Sequence, residues 1–551
     1  MRLRLLHKFL PGALAWILCM ATAFGQLEVE KFGVWETALE ASGAYGNPYR
    51  DVAAQATLTK PDGSTWRLPL FWDGGRVFKL RLSPDAVGVW RWRVSSNDLG
   101  LDGRSGRLVC RPSARVGGIR ASRAWPHHFE RQNGQLFWFL GDTAWAYLTD
   151  IAEEKHDRAA AERYLKERAA QRFNVIHTML LSEAGDGNRN GPPWRSLPDE
   201  QINPDYFREA EERIAFANRY GVTVGLALAW GDKRQQEPFA WRRFPNLESR
   251  KRYARYVAAR FSAFDVYFIV SGEWHAEART RKPAPEEEIF EEFVSIGQEL
   301  ASSDPHDRML AIHPMAQHGS VREFREAGWL DFADYQQNYH HLHGRVLLSR
   351  AALGPVVNSE YGYLLRDQDG DGRPDKSNSY SLDEMRHASW DIVMAGGYFV
   401  TGFGTTYFGG RRDPGPFDPG ASKNKMWEQQ CTLIRDFFES LDWWKLQPAD
   451  ELLRSKVARS DDVAGPGRDV HPPVLTYWAL ADPGHTYVVY VRGTTEAVSV
   501  EFAARPRSYR LRTFNPRTGQ SSATQQLDAM TRYEFRAPDQ QDWVLHAEAI
   551  E

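Results

Sequence analysis

The spacing of apolar residues divides the chain into three stretches, and the first is N-terminal. From Leu27 to about Pro112, apolar residues recur at every second position in short segments separated by turns such as Pro61-Asp62-Gly63 and Asp73-Gly74-Gly75. Alternation bounded by such turns is typical of antiparallel strands. It predicts a β-sandwich over residues 26–113. The predicted strands are Val29–Glu36, Ala53–Leu58, Ser64–Phe71, Arg76–Leu82 and Gly88–Val94.

In the second stretch, short apolar runs alternate eight times with longer segments of helical period. A continuous run such as Val266–Val270 is typical of a strand buried on both faces of a parallel sheet. Eight repeats predict an α/β fold, a (β/α)8 TIM barrel, over residues 114–445. A doubly wound open sheet is the alternative, but no glycine-rich phosphate loop follows the first predicted strand. The predicted strands are Leu136–Leu140, Asn174–Leu181, Thr223–Trp230, Val266–Val270, Met309–Met315, Phe332–Tyr339, Pro355–Ser359 and Tyr398–Tyr407. The predicted helices are Asp157–Gln171, Pro204–Tyr220, Glu248–Phe264, Pro285–Ala301, Val321–Gly328, Arg345–Leu353, Leu382–Ala395 and Lys425–Leu441.

After Lys445 the helical period stops and short alternating segments return. This third stretch predicts a second β-sandwich over residues 446–551. The predicted strands are Val474–Leu480, Thr486–Val491, Ala497–Phe502, Ser508–Phe514, Arg532–Arg536 and Trp543–Ala547.

The first 25 residues do not belong to this pattern. They combine a basic start, an apolar stretch to about Phe24 and small residues at Ala23 and Gly25, which predicts a secretory signal cleaved near Gly25/Gln26. A membrane anchor is the alternative, although the apolar run is short for a membrane span. We therefore expect a periplasmic or secreted protein with no stable membrane insertion after cleavage. Cys110 and Cys431 remain, and we expect both to be buried small apolar groups.

Charge and aromatic content restrict the partners. Lys and Arg total 69 against 72 Asp and Glu, so the chain lacks the basic excess that nucleic-acid binding requires. Trp, Tyr and Phe number 20, 21 and 29. Aromatic rings stack on the C–H faces of sugars, although most of these rings are expected to fill cores. The composition favours a carbohydrate ligand over a nucleic acid.

Two glutamates follow two of the predicted strands directly. Glu273 follows Val266–Val270, and Glu360 follows Pro355–Ser359. The carboxyl ends of barrel strands meet at one mouth, where active sites lie. Hydrolysis of a glycosidic bond needs two such carboxyl groups, one that donates a proton and one that is ionised. Glu273 and Glu360 are therefore the candidate catalytic residues.

Further motifs resemble those of the apiosidase-like barrel glycosidases. They are Phe137 to Trp145, Phe173 to Ile176, Gly272-Glu273-Trp274, Asn358-Ser359-Glu360-Tyr361, Arg386 to Trp390, Ala395 to Tyr398 and Phe514 to Gly519. The N-terminal stretch resembles an immunoglobulin-like module that precedes many bacterial barrel glycosidases, and the C-terminal stretch resembles a sandwich labelled for collagen binding.

The resemblance implies a retaining glycoside hydrolase. Glu273 would be the general acid/base and Glu360 the nucleophile, acting on a polysaccharide or oligosaccharide. The chain departs from the resemblance at two positions: many relatives carry Asp where Glu273 stands, and the wider clan carries Asn where Gly272 stands. The substrate of the family therefore does not transfer to this chain.

Other side chains near the predicted strand ends are candidates for substrate binding. Tyr339 or Tyr361 would also be able to hydrogen-bond the nucleophile and keep it ionised. Each has a structural alternative, such as a loop cap for Asp142 or a satisfied core position for a histidine. The candidates are Asp142, Trp145, His177, Trp230, His275, His313, Gln337, Tyr339, His340 and Tyr361, with Gln336 nearby.

The loop after the seventh predicted strand has the spacing of a calcium loop. Asp367, Asp369, Asp371 and Asp375 stand at positions 1, 3, 5 and 9, but position 12 is Asn378 instead of Glu. The pattern predicts a structural Ca²⁺, and an acidic solvated turn is the alternative. We expect catalysis to require no cofactor.

A non-catalytic carbohydrate-binding or adhesion protein is the rival interpretation. The geometry distinguishes the two, because an enzyme needs Glu273 and Glu360 to face each other across a cleft.

Overall fold

The computed structural model describes residues 28–550 except 153–155, 183–186, 232–237, 281–285, 317, 339–340, 365–378, 403–421, 461–473 and 503–504. Within that part of the chain, no helix combines the length and the apolar character that a membrane span needs.

The N-terminal stretch forms two sheets around one apolar core. One sheet has the strand order β1-β8-β7-β3-β4 and the other the order β2-β6-β5. Alternate residues of the long strands, such as Trp90 and Trp92, face a shared core. Cys110 is buried in this core, as expected. The elements are β1 (Glu28–Glu30), β2 (Trp35–Glu40), α1 (Pro48–Asp51), β3 (Ala54–Thr59), β4 (Thr65–Pro69), β5 (Phe71–Trp72), β6 (Val77–Leu82), β7 (Gly88–Ser96) and β8 (Ser105–Arg111).

The central stretch alternates strands and helices. Its strands are β9 (Ile119–Ala121), β10 (Phe129–Arg131), β11 (Leu136–Phe137), β12 (Leu140–Thr143), β13 (Val175–Met179), β14 (Trp194–Ser196), β15 (Gln201–Ile202), β16 (Thr223–Ala227), β17 (Val266–Ile269), β18 (Leu310–Ala311), β19 (His318–Gly319), β20 (Ala333–Gln336), β21 (Val356–Asn358), β22 (Tyr363–Leu364), β23 (Ser379–Tyr380) and β24 (Tyr398–Thr401). Its helices are α2 (Arg158–Ala170), α3 (Pro204–Arg219), α4 (Leu247–Phe261), α5 (His275–Thr280), α6 (Glu286–Ser303), α7 (Val321–Phe324), α8 (Leu342–Arg350), α9 (Leu382–Met394) and α10 (Ser422–Glu439).

Nine of these strands form one curled sheet, in the order β18-β17-β16-β13-β12-β24-β21-β20-β19. Neighbours pair in parallel, except that β19 pairs antiparallel with β20. Every residue of β13, β16 and β17 is buried, as expected for strands covered on both faces. Counted along the chain, the first to eighth parallel strands are β12, β13, β16, β17, β18, β20, β21 and β24. The first therefore lies between the second and the eighth. Beyond the ladders, the Asp331 amide donates to the Leu310 carbonyl at 3.0 Å, which brings the fifth and sixth strands together.

The first predicted strand of the barrel is displaced. Residues 136–137 form β11, which pairs antiparallel with β10 in a small three-stranded sheet. The hairpin turn at Gly134, with φ of 89°, directs this segment back onto β10. The strand that joins the central sheet is β12, which runs from Leu140 to Thr143. Asp142 consequently lies within the strand and not after it.

The C-terminal stretch again forms two sheets around one core. The orders are β25-β27-β28-β33-β30-β31 and β26-β29-β32. The sequence did not predict β31, because its residues are mostly exposed at an edge and do not alternate. The strands are β25 (Gln447–Pro448), β26 (Leu453–Ser455), β27 (Thr476–Asp482), β28 (Thr486–Arg492), β29 (Val498–Glu501), β30 (Arg507–Phe514), β31 (Gln525–Met530), β32 (Arg532–Phe535) and β33 (Trp543–Ala549).

Buried ion pairs attach both flanking stretches to the central one. On the N-terminal side, Arg81 contacts Glu211 of α3 at 2.7 Å. On the C-terminal side, Arg386 of α9 contacts Asp542 at 2.7 Å. Both pairs are shielded from solvent, so the helices around the central sheet are fixed from two sides.

Candidate active site

Glu273 lies just beyond β17, at the carboxyl end of the central sheet. Its φ of 38° is in the left-handed region, which non-glycine residues seldom adopt. Such strain persists only where the surrounding contacts hold it, and it is frequent at functional sites. Glu273 is also buried. The fold therefore holds this carboxyl group in a confined position at the strand end.

Trp230 determines which residue can precede Glu273. Trp230 and Gly272 form a parallel bridge between the third and fourth strands. A Cβ atom at Gly272 would overlap the Trp230 ring. The tryptophan thus occupies the volume that a larger residue would need, which is the physical reason for a glycine here.

Glu360 follows β21 on the opposite side of the sheet. The side-chain amide of Asn358 donates to the Gln337 carbonyl at 2.9 Å, and the Ser359 amide donates to the Tyr335 carbonyl at 2.8 Å. These bonds tie the end of the seventh strand to the sixth. Glu360 is buried beside Glu273 and His313: one oxygen of each glutamate and one nitrogen of the histidine lie within 4.8 Å of one another.

His313 joins this pair from the end of the fifth strand. Its Nε2 lies 3.3 Å from Oε2 of Glu360, and its Nδ1 lies 2.9 Å from Oγ of Ser359 and 3.8 Å from Oδ2 of Asp334. Burial alone would lower the pKa of His313, but the hydrogen bonds and charges of Asp334 and Glu360 outweigh burial and raise it to about 9. At neutral pH His313 is therefore an imidazolium next to Glu360.

His177, on the second strand, is in the opposite state. Burial, reinforced by the charge of His313, lowers the pKa of His177 to about 3. Its Nε2 hydrogen-bonds the hydroxyl of Tyr267. Both rings pack against the α-carbon of Gly225, where a side chain would collide with them. His177 is thus a neutral hydrogen-bonding group, and only His313 of the two carries charge.

Two tryptophans line the cluster on the side of the first and third strands. The ring centroids of Trp145 and Trp230 are 4.8 Å apart in an edge-to-face arrangement. Each ring also approaches His313, at 5.6 Å and 5.4 Å respectively. The structure therefore brings four of the predicted substrate-binding residues close to the two glutamates or to their neighbours: Trp145, His177, Trp230 and His313.

Asp142 is engaged elsewhere. Its carboxylate is fully buried, forms an ion pair with Arg168 of α2 and accepts a hydrogen bond of 2.8 Å from the Tyr164 hydroxyl. These contacts fix the helix against the first strand. They favour a structural role over the predicted contact with sugar hydroxyls.

Tyr361 also differs from expectation. Its hydroxyl hydrogen-bonds Oγ of Ser389 in α9 at 2.8 Å, so the proposed hydrogen bond to the nucleophile is replaced by a contact to the helix layer. Among the described residues, His313 lies beside Glu360, at 3.3 Å. Burial raises the pKa of Tyr361, which keeps it protonated.

The remaining described candidates lie at the edges of this region. Gln337 accepts a hydrogen bond from Arg345 at 3.1 Å. His275 begins α5 and packs between the rings of Trp274 and His318. Gln336 is buried in β20. Tyr339 and His340 lie outside the described residues, and so do the calcium-loop candidates Asp367, Asp369, Asp371 and Asp375. Those six assignments stay predictions.

Sequence reasoning missed Asp334 and Ser359 as members of the site. Asp334 is fully buried within β20, and Ser359 lies between it and His313. The available signal was an acidic residue inside an otherwise buried strand, because a buried carboxylate requires a partner.

Glu273, His313 and Glu360 have the donor types of a metal site, and their atoms are close enough to share an ion. Without an ion, both ring nitrogens of His313 lie next to oxygen atoms of Ser359 and Glu360, so the same cluster can hold and transfer a proton.

Two parts of the chain match known protein families. Residues 125–445 match the family described as apiosidase-like, catalytic domain, and residues 28–97 match a domain of unknown function, DUF5060. Because the first match covers more than half of the chain, the protein belongs to the family of apiosidase-like catalytic domains. A search of curated proteins gives no match.

Solved structures share the fold. A candidate glycoside hydrolase from Bacteroides vulgatus ATCC 8482 superposes with a TM-score of 0.73 at 17% identity, over 95% of this chain and 100% of that one. A glycoside hydrolase of family 5 from the same organism gives 0.61 at 15% identity, over 79% and 93%. At these identities the likeness concerns the fold: a mixed α/β architecture with a curled, mostly parallel sheet.

Proposed function

We propose that the protein is a retaining glycoside hydrolase that acts on a polysaccharide or oligosaccharide. The observation that carries this proposal is the approach of Glu273 and Glu360, whose nearest ligand oxygens lie within 4.8 Å. Retaining enzymes hold their two carboxyl groups about 5–5.5 Å apart, whereas inverting enzymes need about 6.5–9.5 Å to admit a water molecule. The short approach favours retention. Family membership and the fold shared with glycoside hydrolases support the reaction class.

His313 supports the assignment of roles to the two glutamates. An imidazolium 3.3 Å from Glu360 stabilises the carboxylate form of that residue. The nucleophile of a retaining glycosidase must be ionised, while its acid must carry a proton. Glu360 therefore acts as the nucleophile and Glu273 as the acid/base.

The reaction proceeds in two displacements. Glu273 protonates the glycosidic oxygen while Glu360 attacks the anomeric carbon, and a covalent glycosyl ester forms as the leaving sugar departs. Glu273, now ionised, removes a proton from water, and the water displaces Glu360 from the sugar. Trp145 and Trp230 offer aromatic faces beside the reacting carbon. No cofactor takes part in these steps.

We also infer the wider architecture and location. The eight parallel strands follow one another in cyclic order, and the hydrogen bond between Asp331 and Leu310 bridges the remaining gap, which supports a closed (β/α)8 barrel. Paired sheets around single cores support a β-sandwich on either side. The basic and apolar first 25 residues support export to the periplasm or the medium. Sequencing the N-terminus of exported protein tests the cleavage near Gly25.

The decisive experiment is a hydrolysis screen with aryl glycosides and polysaccharides. Wild type is expected to release product from at least one substrate with retained anomeric configuration, as followed by proton NMR in the first turnovers. Glu360→Ala should lose nearly all activity, and the exposed control Glu326→Ala should behave as wild type. Added azide should yield a glycosyl azide of inverted configuration with Glu360→Ala and of retained configuration with Glu273→Ala.

Equal rates for wild type and Glu360→Ala would remove Glu360 from its role. Product of inverted configuration would refute retention. Binding to glycans in affinity electrophoresis with no hydrolysis of any of them would instead favour the carbohydrate-binding interpretation.

A further inference from the structure

Asp334 is a buried carboxylate that the two-carboxylate mechanism does not use. It is fully shielded within β20. Its oxygens face Oγ of Ser359 and, at 3.8 Å, Nδ1 of His313. Burying a carboxylate is costly unless it has a hydrogen-bonding or charged partner. Here the charged partner is a histidine, which can lose its proton, and not an arginine or lysine.

The hydrogen bonds of Ser359 fix the direction of its bond to His313. The single hydroxyl proton of Ser359 has two acceptors within reach, Asp334 and, at 2.8 Å, the Tyr335 carbonyl, and a carboxylate or carbonyl oxygen can only accept. With the proton directed to either oxygen, Ser359 accepts from Nδ1–H of His313. With Nδ1 protonated in this way, Nε2 of His313 faces Oε2 of Glu360 as a donor. A series of polar contacts thus connects Asp334 to Glu360 through Ser359 and His313.

We propose that Asp334, acting through Ser359, is a positioning residue that orients the His313 imidazolium toward Glu360. This inference rests on the proposed function, because it takes Glu360 as the nucleophile. Asp334 does not touch the substrate. Its effect is to keep His313 in one orientation and protonated on both nitrogens, which favours an ionised Glu360 ready for attack.

Comparison with Asp142 separates this role from simple structural pairing. Asp142 is equally buried, but its partner is Arg168, whose charge is permanent. Asp142 and Arg168 join a helix to a strand, whereas Asp334 and His313 lead directly to a candidate catalytic group. The difference lies in the titratable partner and its position.

The pH dependence follows from the groups around His313. They are Asp334 on β20, Glu360 after β21, Glu273 after β17, His177 on β13 and Tyr267 on β17. His177 and Tyr267 are neutral near pH 7, so Asp334 and Glu360 supply the negative charge that raises the pKa of His313. Burial raises the pKa of Asp334, and its interactions with His313 and Ser359 oppose that rise, so the charges of Asp334 and His313 stabilise each other. Without the charge of Asp334, Glu360 alone opposes burial, so the pKa of His313 falls. The positive charge next to Glu360 is then present over a narrower pH range, which disfavours the carboxylate form of Glu360.

The test is Asp334→Asn in the full chain, assayed with the aryl glycoside that wild type hydrolyses best. The acid limb of kcat/KM should move up by about one to three pH units, as expected when a carboxylate loses an adjacent cation. At the optimum, kcat should fall on the order of tenfold or more while KM changes little. Ser359→Ala should shift the acid limb in the same direction by a smaller amount.

Asp304→Asn is the matched control. Asp304 also forms a buried pair with a histidine, His306 at 2.9 Å, but this pair lies outside the cluster. Its substitution should lower the thermal midpoint without moving the acid limb. If Asp334→Asn also lowers the thermal midpoint without moving the acid limb, the role of Asp334 is structural and the proposal is wrong. If Asp334→Asn does not fold, Ser359→Ala decides, and an unchanged acid limb refutes the proposal.

A second measurement does not depend on activity. NMR titration of the imidazole signals, assigned for His313 by their loss in His313→Gln, should give a pKa of about 9 in wild type. Asp334→Asn should lower that pKa. An unchanged pKa of His313 in Asp334→Asn would refute the positioning role of Asp334, even if Glu360 is the nucleophile. Full activity of Glu360→Ala would instead refute the proposed function itself.

Discussion

Substitution of Asp142 by Asn distinguishes a structural role from substrate binding at the first strand. The change removes the charge that compensates Arg168 but keeps the shape of the side chain. Arg168 is fully buried, and its guanidinium lies over the rings of Tyr164 and Phe173, so water cannot replace the lost partner. Removing one member of a buried ion pair costs about 3–5 kcal/mol. The central unit should therefore unfold at a temperature roughly 5–10 °C lower.

The assay is thermal unfolding combined with a double-mutant cycle. Asp142→Asn/Arg168→Met removes both charges and should recover most of the lost stability, because no uncompensated charge remains. KM for the aryl glycoside should stay within a factor of about three of the wild-type value, since neither side chain contacts the substrate. Wild-type stability together with a large rise in KM would refute this reasoning and restore Asp142 as a sugar-binding group.

Three further predictions concern Gly272, His313 and the acidic loop. Gly272→Ala places a Cβ against the Trp230 ring, so kcat should fall and the free energy of unfolding should decrease by about 1–3 kcal/mol, which a lower thermal midpoint would show. Unchanged kinetics would contradict this packing. The raised pKa of His313 contributes stability that is complete below the ordinary pKa of about 6.5 and is lost as pH rises through about 9. Chemical denaturation at pH 6 and 9.5 should therefore show a decrease in wild type that is smaller in His313→Gln. If the acidic loop binds calcium, EDTA should lower the thermal midpoint of wild type and not that of Asp369→Asn/Asp371→Asn; equal responses would exclude the loop as the site.

The Trp230–Gly272 contact has a consequence for substrate choice. The tryptophan fills space next to Glu273, the proposed acid/base. An aromatic face recognises the apolar side of a sugar. Trp230→Ala should consequently weaken substrate binding more than Trp66→Ala, a substitution of a partly buried tryptophan in the N-terminal core.

Local sequence signals predicted much of the architecture. Continuous apolar runs such as Val266–Val270 are buried on both faces of the sheet, and this burial is what makes the run detectable. The two glutamates were found because each follows such a run directly. Most helices began within one or two residues of the prediction, since caps such as Asn203 and Asn246 are local features.

Elements that depend on pairing were predicted less well. The segment Leu136–Leu140 has the composition of one strand, but pairing divides it: residues 136–137 pair with β10, and Leu140 begins the strand that joins the central sheet. The edge strand β31 has no buried face and hence no pattern. Apolar and polar residues alternate along a strand because one face of the strand is buried. A strand that pairs without burying a face has no such alternation, so the sequence does not predict it.

The sequence by itself determined that eight strand and helix units would bring Glu273 and Glu360 to one end of a sheet, because strand periodicity and position along the chain are local properties. Only the tertiary structure decided what surrounds them. Asp334 lies within one strand, and Ser359 and His313 follow two others; the direction of their hydrogen bonds depends on distances that no spacing along the chain encodes. Burial and charge act through space, so the protonation state of His313 could be read only after the strands were assembled.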